Sequence, residues 1–226
     1  MNALRTAITL SAWGCGTLNN ARPLDQGAHR AGLTFGGPVL MALGPPIPVP
    51  NLILEGQSGL KPIGNLSAQA DYGLNLTAMA FGVMGVHGGG TVGLMEQQRF
   101  IPALSLSDRL HFYNNYPDTT KDLETRQAFG LNELELTASW ALGNHLLYTG
   151  LSNHLDINDP ELTLGYFIGA QIGNDKGLFG QLELHHMAAN RRPDIVDVEF
   201  LTTGTGSIAL TTSLGWAFGD SSKGED

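Results

Sequence analysis

Ser207-Ile208-Ala209-Leu210-Thr211-Thr212-Ser213-Leu214-Gly215-Trp216-Ala217-Phe218 decides how this chain folds. Ile208, Leu210, Leu214, Trp216 and Phe218 fall on one side of a period of two. Ser207, Ala209, Thr211, Ser213, Gly215 and Ala217 fall on the other. Successive side chains of a β-strand point to opposite faces, so this is a strand with one greasy face and one small, polar face.

The same alternation recurs upstream. From Leu66 to Ala78 the apolar set is Leu66, Ala68, Ala70, Tyr72, Leu74 and Leu76, against Ser67, Gln69, Asp71, Gly73, Asn75 and Thr77. From Leu162 to Gly173, Leu162, Leu164, Tyr166, Ile168, Ala170 and Ile172 oppose Thr163, Gly165, Gly169 and Gln171, with Phe167 the one large residue on the polar side. Leu134, Leu136, Ala138, Trp140 and Leu142 oppose Glu133, Glu135, Thr137, Ser139 and Ala141, and Leu178, Leu182 and Leu184 oppose Gln181, Glu183 and His185. Weaker strands are read at Ala31 to Gly36, Leu52 to Gln57, Val83 to Leu94, Leu104 to Tyr113 and His145 to Ser152. That makes ten strands, with eight or twelve as the alternatives. Their links alternate between short (59–65, 95–102, 143–144, 173–176) and long (37–50, 114–127, 153–160, 188–206), as in up-and-down barrels with short turns at one end and long loops at the other. The tight link near Ala78 to Gly82 is the exception.

Two architectures alternate in this way. A soluble β-sandwich buries its large apolar face and exposes charge. Here the second face is Gly, Ser, Thr and Gln with occasional Glu and His, and only 15% of the 226 residues are charged, against about 25% in an ordinary soluble domain. An outside that faces hydrocarbon explains the missing charge. No run of about 18 apolar residues exists to form a spanning helix, so a membrane crossing must use strands. In hydrocarbon every backbone N–H and C=O must be paired, which requires the sheet to close. The expected fold is therefore all-β: a closed antiparallel up-and-down transmembrane β-barrel in one domain, residues 28–218.

The ending Leu214-Gly215-Trp216-Ala217-Phe218 resembles the last strand of bacterial outer-membrane β-barrel proteins, which alternates and finishes on an aromatic; here a polar tail, 219–226, follows. The stretch from Gly59 to Leu94, with Tyr72-Gly73-Leu74 and Gly82, Gly85 and Gly88, is similar to the glycine-spaced hairpins of proteobacterial barrels. The resemblance implies an outer-membrane location in a Gram-negative cell envelope. It also implies contact with membrane lipids, and recognition of Trp216 and Phe218 by the barrel-assembly machinery. Near the start, the apolar stretch Ala7 to Trp13 and then Gly14-Cys15 resembles a lipoprotein signal, which would make Cys15 a lipidation site, 1–15 the signal and 16–27 a linker. A buried or incidental thiol is the other reading of Cys15.

The polar face collects Arg30, Gln69, Asp71, His87, Arg109, His111, Glu133, Glu135, Gln171, Gln181, Glu183 and His185, which the barrel reading places in the lumen. Buried charges are costly unless paired, and Arg109 is expected to pair with Glu133 or Glu135 on the next strand. Such residues either plug the lumen with salt bridges or line a solute path. Glu183-Leu184-His185-His186 has no third metal ligand at a recognisable spacing, so neither a metal nor a cofactor is expected. Ser152-Asn153-His154 near a loop invites comparison with outer-membrane lipid hydrolases, yet has no G-x-S-x-G elbow. Asp156-Ile157-Asn158-Asp159 lacks the twelve-residue EF-hand pattern and reads as an acidic solvated loop. The apolar, proline-rich 36–50 is expected to fold over the barrel rim or dip into the interface, or in part to extend the first strand.

A net charge of −9 argues against a nucleic-acid partner. Three functions remain: a small outer-membrane barrel, structural or narrowly solute-conducting; an interaction protein acting through 114–127 and 188–206; and a hydrolase using Ser152, His154 or His185.

Overall fold

The computed structural model describes residues 21–41, 46–80, 83–115, 128–157, 161–173, 176–190 and 200–219. Within them the chain forms β1 (Ala28–Leu40), β2 (Ile47–Pro48), β3 (Leu52–Ile63), β4 (Leu66–Asn75), α1 (Leu76–Ala80), β5 (Val83–Met95), β6 (Ala103–Asn115), β7 (Ala128–Leu142), β8 (His145–Asp156), β9 (Thr163–Gly173), β10 (Gly177–Met187) and β11 (Ser207–Gly219). The order around the sheet is β11-β10-β9-β8-β7-β6-β5-β4-β3-β1, and β11 pairs with β1 to close it. The closing seam is antiparallel and runs from Ala28 opposite Gly219 to Pro38 opposite Ala209. This is the closed ten-stranded barrel that the alternation predicts, with β2 added as a short extra strand on Val39 and Leu40.

The period of two becomes the two faces of the wall. Along β7 the exposures run Glu133 0%, Leu134 40%, Glu135 1%, Leu136 42%. The leucines are outside and the carboxylates inside, the reverse of a water-soluble barrel. On the closing strand, Leu210, Leu214, Trp216 and Phe218 are exposed while Ala209, Thr211, Ser213 and Ala217 are buried. Aromatic residues of the outer face gather at both ends: Phe100, Trp140, Trp216 and Phe218 toward the short turns, and Phe35, Phe112 and Tyr166 toward the long links.

The short turns are tight because their residues permit it. Gly143 has φ 62°, which a two-residue hairpin loop requires and glycine adopts without strain. Several strands outrun their sequence signals, because pairing with neighbours continues past the last alternating residue. β1 reaches Leu40, so part of the apolar 36–50 extends the first strand. Its end is tied by β2 and by Leu201 N–H donating to Val39 O at 2.8 Å. The alternation from Leu66 to Ala78 does not persist to its end. The Asn75 side-chain oxygen accepts from Ala78 N–H at 2.8 Å, an N-cap that turns the chain into α1. Ala78 then packs on Val83 and Tyr113, and this helix makes the otherwise unexplained tight link.

Candidate functional site in the barrel interior

The sequence-predicted lumen residues Arg30, Gln69, Asp71, Arg109, His111, Glu133, Glu135, Gln181, Glu183 and His185 are all buried, as is Gln171, and His87 is half-buried. They come together because each sits at an inward register position of an adjacent strand. Arg109 lies opposite Glu133 across β6 and β7, and Glu133 lies opposite His154 across β7 and β8.

Glu133 is the hub. Its Oε2 accepts from His111 Nε2 at 2.9 Å and from Arg109 Nη1 at 3.3 Å, and its Oε1 accepts from His154 Nε2 at 2.9 Å. The other Arg109 amino group stands 3.0 Å from Glu135 Oε2. One guanidinium thus spans two carboxylates, and the expected choice between Glu133 and Glu135 is resolved in favour of both. Imidazole rings flank this layer on either side: His87 lies 5.2 Å from His111, and His185 lies 6.1 Å from His154.

Beside it the interior wall is threaded by further side-chain hydrogen bonds. Gln69 Nε2 donates to Asp71 Oδ1 at 2.5 Å, Thr91 donates to Asp71 Oδ2 at 2.8 Å, and the Thr91 and Ser107 hydroxyls are 2.9 Å apart. Thr34 donates to Glu55 at 2.8 Å. Toward the short-turn end, Arg30 and Gln181 both donate to Gln171 Oε1 at 3.3 Å, and the Arg30 guanidinium lies 5.2 Å over the Phe179 ring.

Several interior residues escape the sequence reading. Glu55 is one, because Leu52-Ile53-Leu54 before it is apolar throughout and hides the alternation. Tyr148 is another. Ser152 and His154, which the sequence places near a loop, lie on β8, which continues to Asp156 and turns both inward. There Ser152 Oγ lies 2.9 Å from His185 Nε2, and His185 Nδ1 lies 3.9 Å from Glu183 Oε1. Phe167, the exception on the polar face of its strand, is buried inside and packs with Tyr148 and Ala21.

His186 faces outward, its Nε2 2.8 Å from Thr205 O and its ring edge-on to Tyr166. Among the described residues no three His, Cys, Asp or Glu side chains are arranged to hold a metal ion. Cys15 and the signal-like 1–15, residues 116–127 and 191–199 of the two long loops, Asn158, Asp159 and the tail from 220 lie outside the described residues.

These features define a closed, ten-stranded antiparallel barrel with an apolar outer wall and a packed, ionic interior. No protein-family model and no curated protein matches the chain. Among solved structures it is similar to the translocator domain of the autotransporter NalP from Neisseria meningitidis, with 11% identity, 96% of each chain covered and a TM-score of 0.40. At that identity and score the likeness bears on neither activity nor partner.

Proposed function

We propose that this chain is a small outer-membrane β-barrel with a structural role, closed to solutes at its centre. The observation that carries the reading is the Arg109–Glu133–Glu135 layer, in which no side chain is more than 2% exposed. A ten-stranded ring is narrow enough for side chains to fill, and the burial of a guanidinium held between two carboxylates supports a centre filled in that way. The outward leucines and the aromatic residues at both ends of the wall match what a bilayer requires of a barrel exterior. The short-turn end, where β1 begins and β11 ends, then faces the periplasm. Planar-bilayer recording tests the closure: the purified barrel inserts without steady conductance, and stable single-channel steps in the wild type would assign it a solute path instead.

One observation favours a second reading, that of a hydrolase. Ser152, His185 and Glu183 stand in the order of a nucleophile, a base and an orienting carboxylate. All three are no more than 2% exposed, so a substrate would need the interior to open. Labelling by a fluorophosphonate that disappears in Ser152→Ala would support this reading. Absence of labelling in the folded barrel assigns the pair to interior packing.

A further inference from the structure

Residues 21–27 belong to none of the strands, yet they are seated in the short-turn mouth. Ala21 and Leu24 are buried, Ala21 against Tyr148 and Phe167. Arg22 reaches the ends of two different hairpins: its Nε donates to Ser139 Oγ at 3.0 Å, one amino group donates to Ser139 O at 3.4 Å, and the same group makes a short hydrogen bond to Gln97 Oε1. Leu24 N–H donates to Gln69 Oε1 at 2.9 Å, and Gln69 in turn holds Asp71 of the interior network.

The wall is shaped to receive this segment. A Cβ on Gly59 would stand 1.9 Å from Asp25 O, so the two backbones meet only because position 59 has no side chain. Beside the segment lies a cavity of 680 Å³, lined among others by Arg22, Asp25, Glu96, His145 and Lys176. The mouth is thus a seat with a fork of oxygens for a guanidinium, a side-chain carbonyl for one backbone amide, burial for two apolar side chains and room to spare. A planar fork of donors suits Ser139 and Gln97 together, which the single ammonium of a lysine does not.

We infer that the short-turn mouth is a binding site for an extended, arginine-bearing peptide segment, occupied here in cis by the chain's own residues 21–27. This goes beyond the structural role proposed above and does not depend on the closed ionic layer. Among the described residues the segment's backbone donates to the wall's backbone only at Gly27, whose N–H donates to Gly59 O at 3.2 Å; residues 21–26 therefore exchange without unfolding the barrel, and an equivalent peptide competes for the seat.

The test uses the full chain folded in detergent micelles and a fluorescein-labelled peptide, Ala-Arg-Pro-Leu-Asp-Gln-Gly. If the cis segment fills the seat nine-tenths of the time, loosening it by Arg22→Ala tightens peptide binding about tenfold. A peptide with Ala in place of its Arg does not bind. Equal binding of both peptides, or none to the Arg22→Ala chain, overturns the inference. Should that variant fail to fold, hydrogen exchange on the wild type decides: the Leu24 amide exchanges faster than the amides of β7 if the segment releases by itself, and at their rate if it is an integral part of the barrel.

Discussion

Arg109 Nη2 stands 3.0 Å from Glu135 Oε2 across β6 and β7, with both side chains sealed from solvent. Glu135 is not the residue opposite Arg109 in the ladder; Glu133 is. The guanidinium therefore reaches diagonally to one carboxylate while touching the one beside it, and its planar geometry makes that double contact possible. Removing it would leave two carboxylates buried in the lumen without their cation.

Replacing Arg109 by Met should accordingly cost about 3–5 kcal/mol, the usual penalty for breaking a buried ion pair from one side. Urea unfolding in micelles checks this. Glu133→Gln and Glu135→Gln added to Arg109→Met should recover part of the loss, since the uncompensated charge is then gone. A loss below about 1 kcal/mol for Arg109→Met, as for an exposed pair, would show the layer to be hydrated rather than packed.

Leu136 sits near the middle of β7 on the outer face, 42% exposed. If that face meets hydrocarbon, Leu136→Arg destabilises the barrel by about 2–4 kcal/mol when it is folded in lipid vesicles. The same change at a water-exposed site is worth less than about 0.5 kcal/mol. Reversible unfolding in vesicles distinguishes the two.

Trp216 and Phe218 lie side by side on the outer face of the closing strand, at the end nearest the short turns. If an assembly machinery recognises that end, Phe218→Ala lowers the amount of barrel in the membrane fraction of growing cells several-fold, while refolding of the purified variant in detergent is unchanged. Equal loss in both settings would make Phe218 a packing residue, stacked as it is on His29 at 5.6 Å.

How far the sequence could be read follows from what each element owes to period two. The ten barrel strands were legible because a wall with two unlike faces makes every second residue differ, as in β7 and β11. The inward set was legible for the same reason. The partners within it were only partly so, since Glu133 finds His154 through an extension of β8 that no sequence signal marks. Glu55 was hidden by the apolar residues before it. The segment 21–27 has no periodicity because it is seated by individual contacts, Arg22 to Ser139 and Leu24 to Gln69, and reads as a linker. Helix α1 interrupts an alternation that continues in the sequence to Ala78, because the Asn75 cap and the burial of Ala78 outweigh three more residues of pattern.

The central claim is that the apolar face points outward into lipid, and folding into vesicles tests it most directly. The urea-denatured chain, diluted into phosphatidylcholine vesicles, should insert and migrate on an unheated gel as a compact band that shifts on boiling. A chain that stays monodisperse in buffer without lipid or detergent, and migrates alike heated and unheated, would contradict the account.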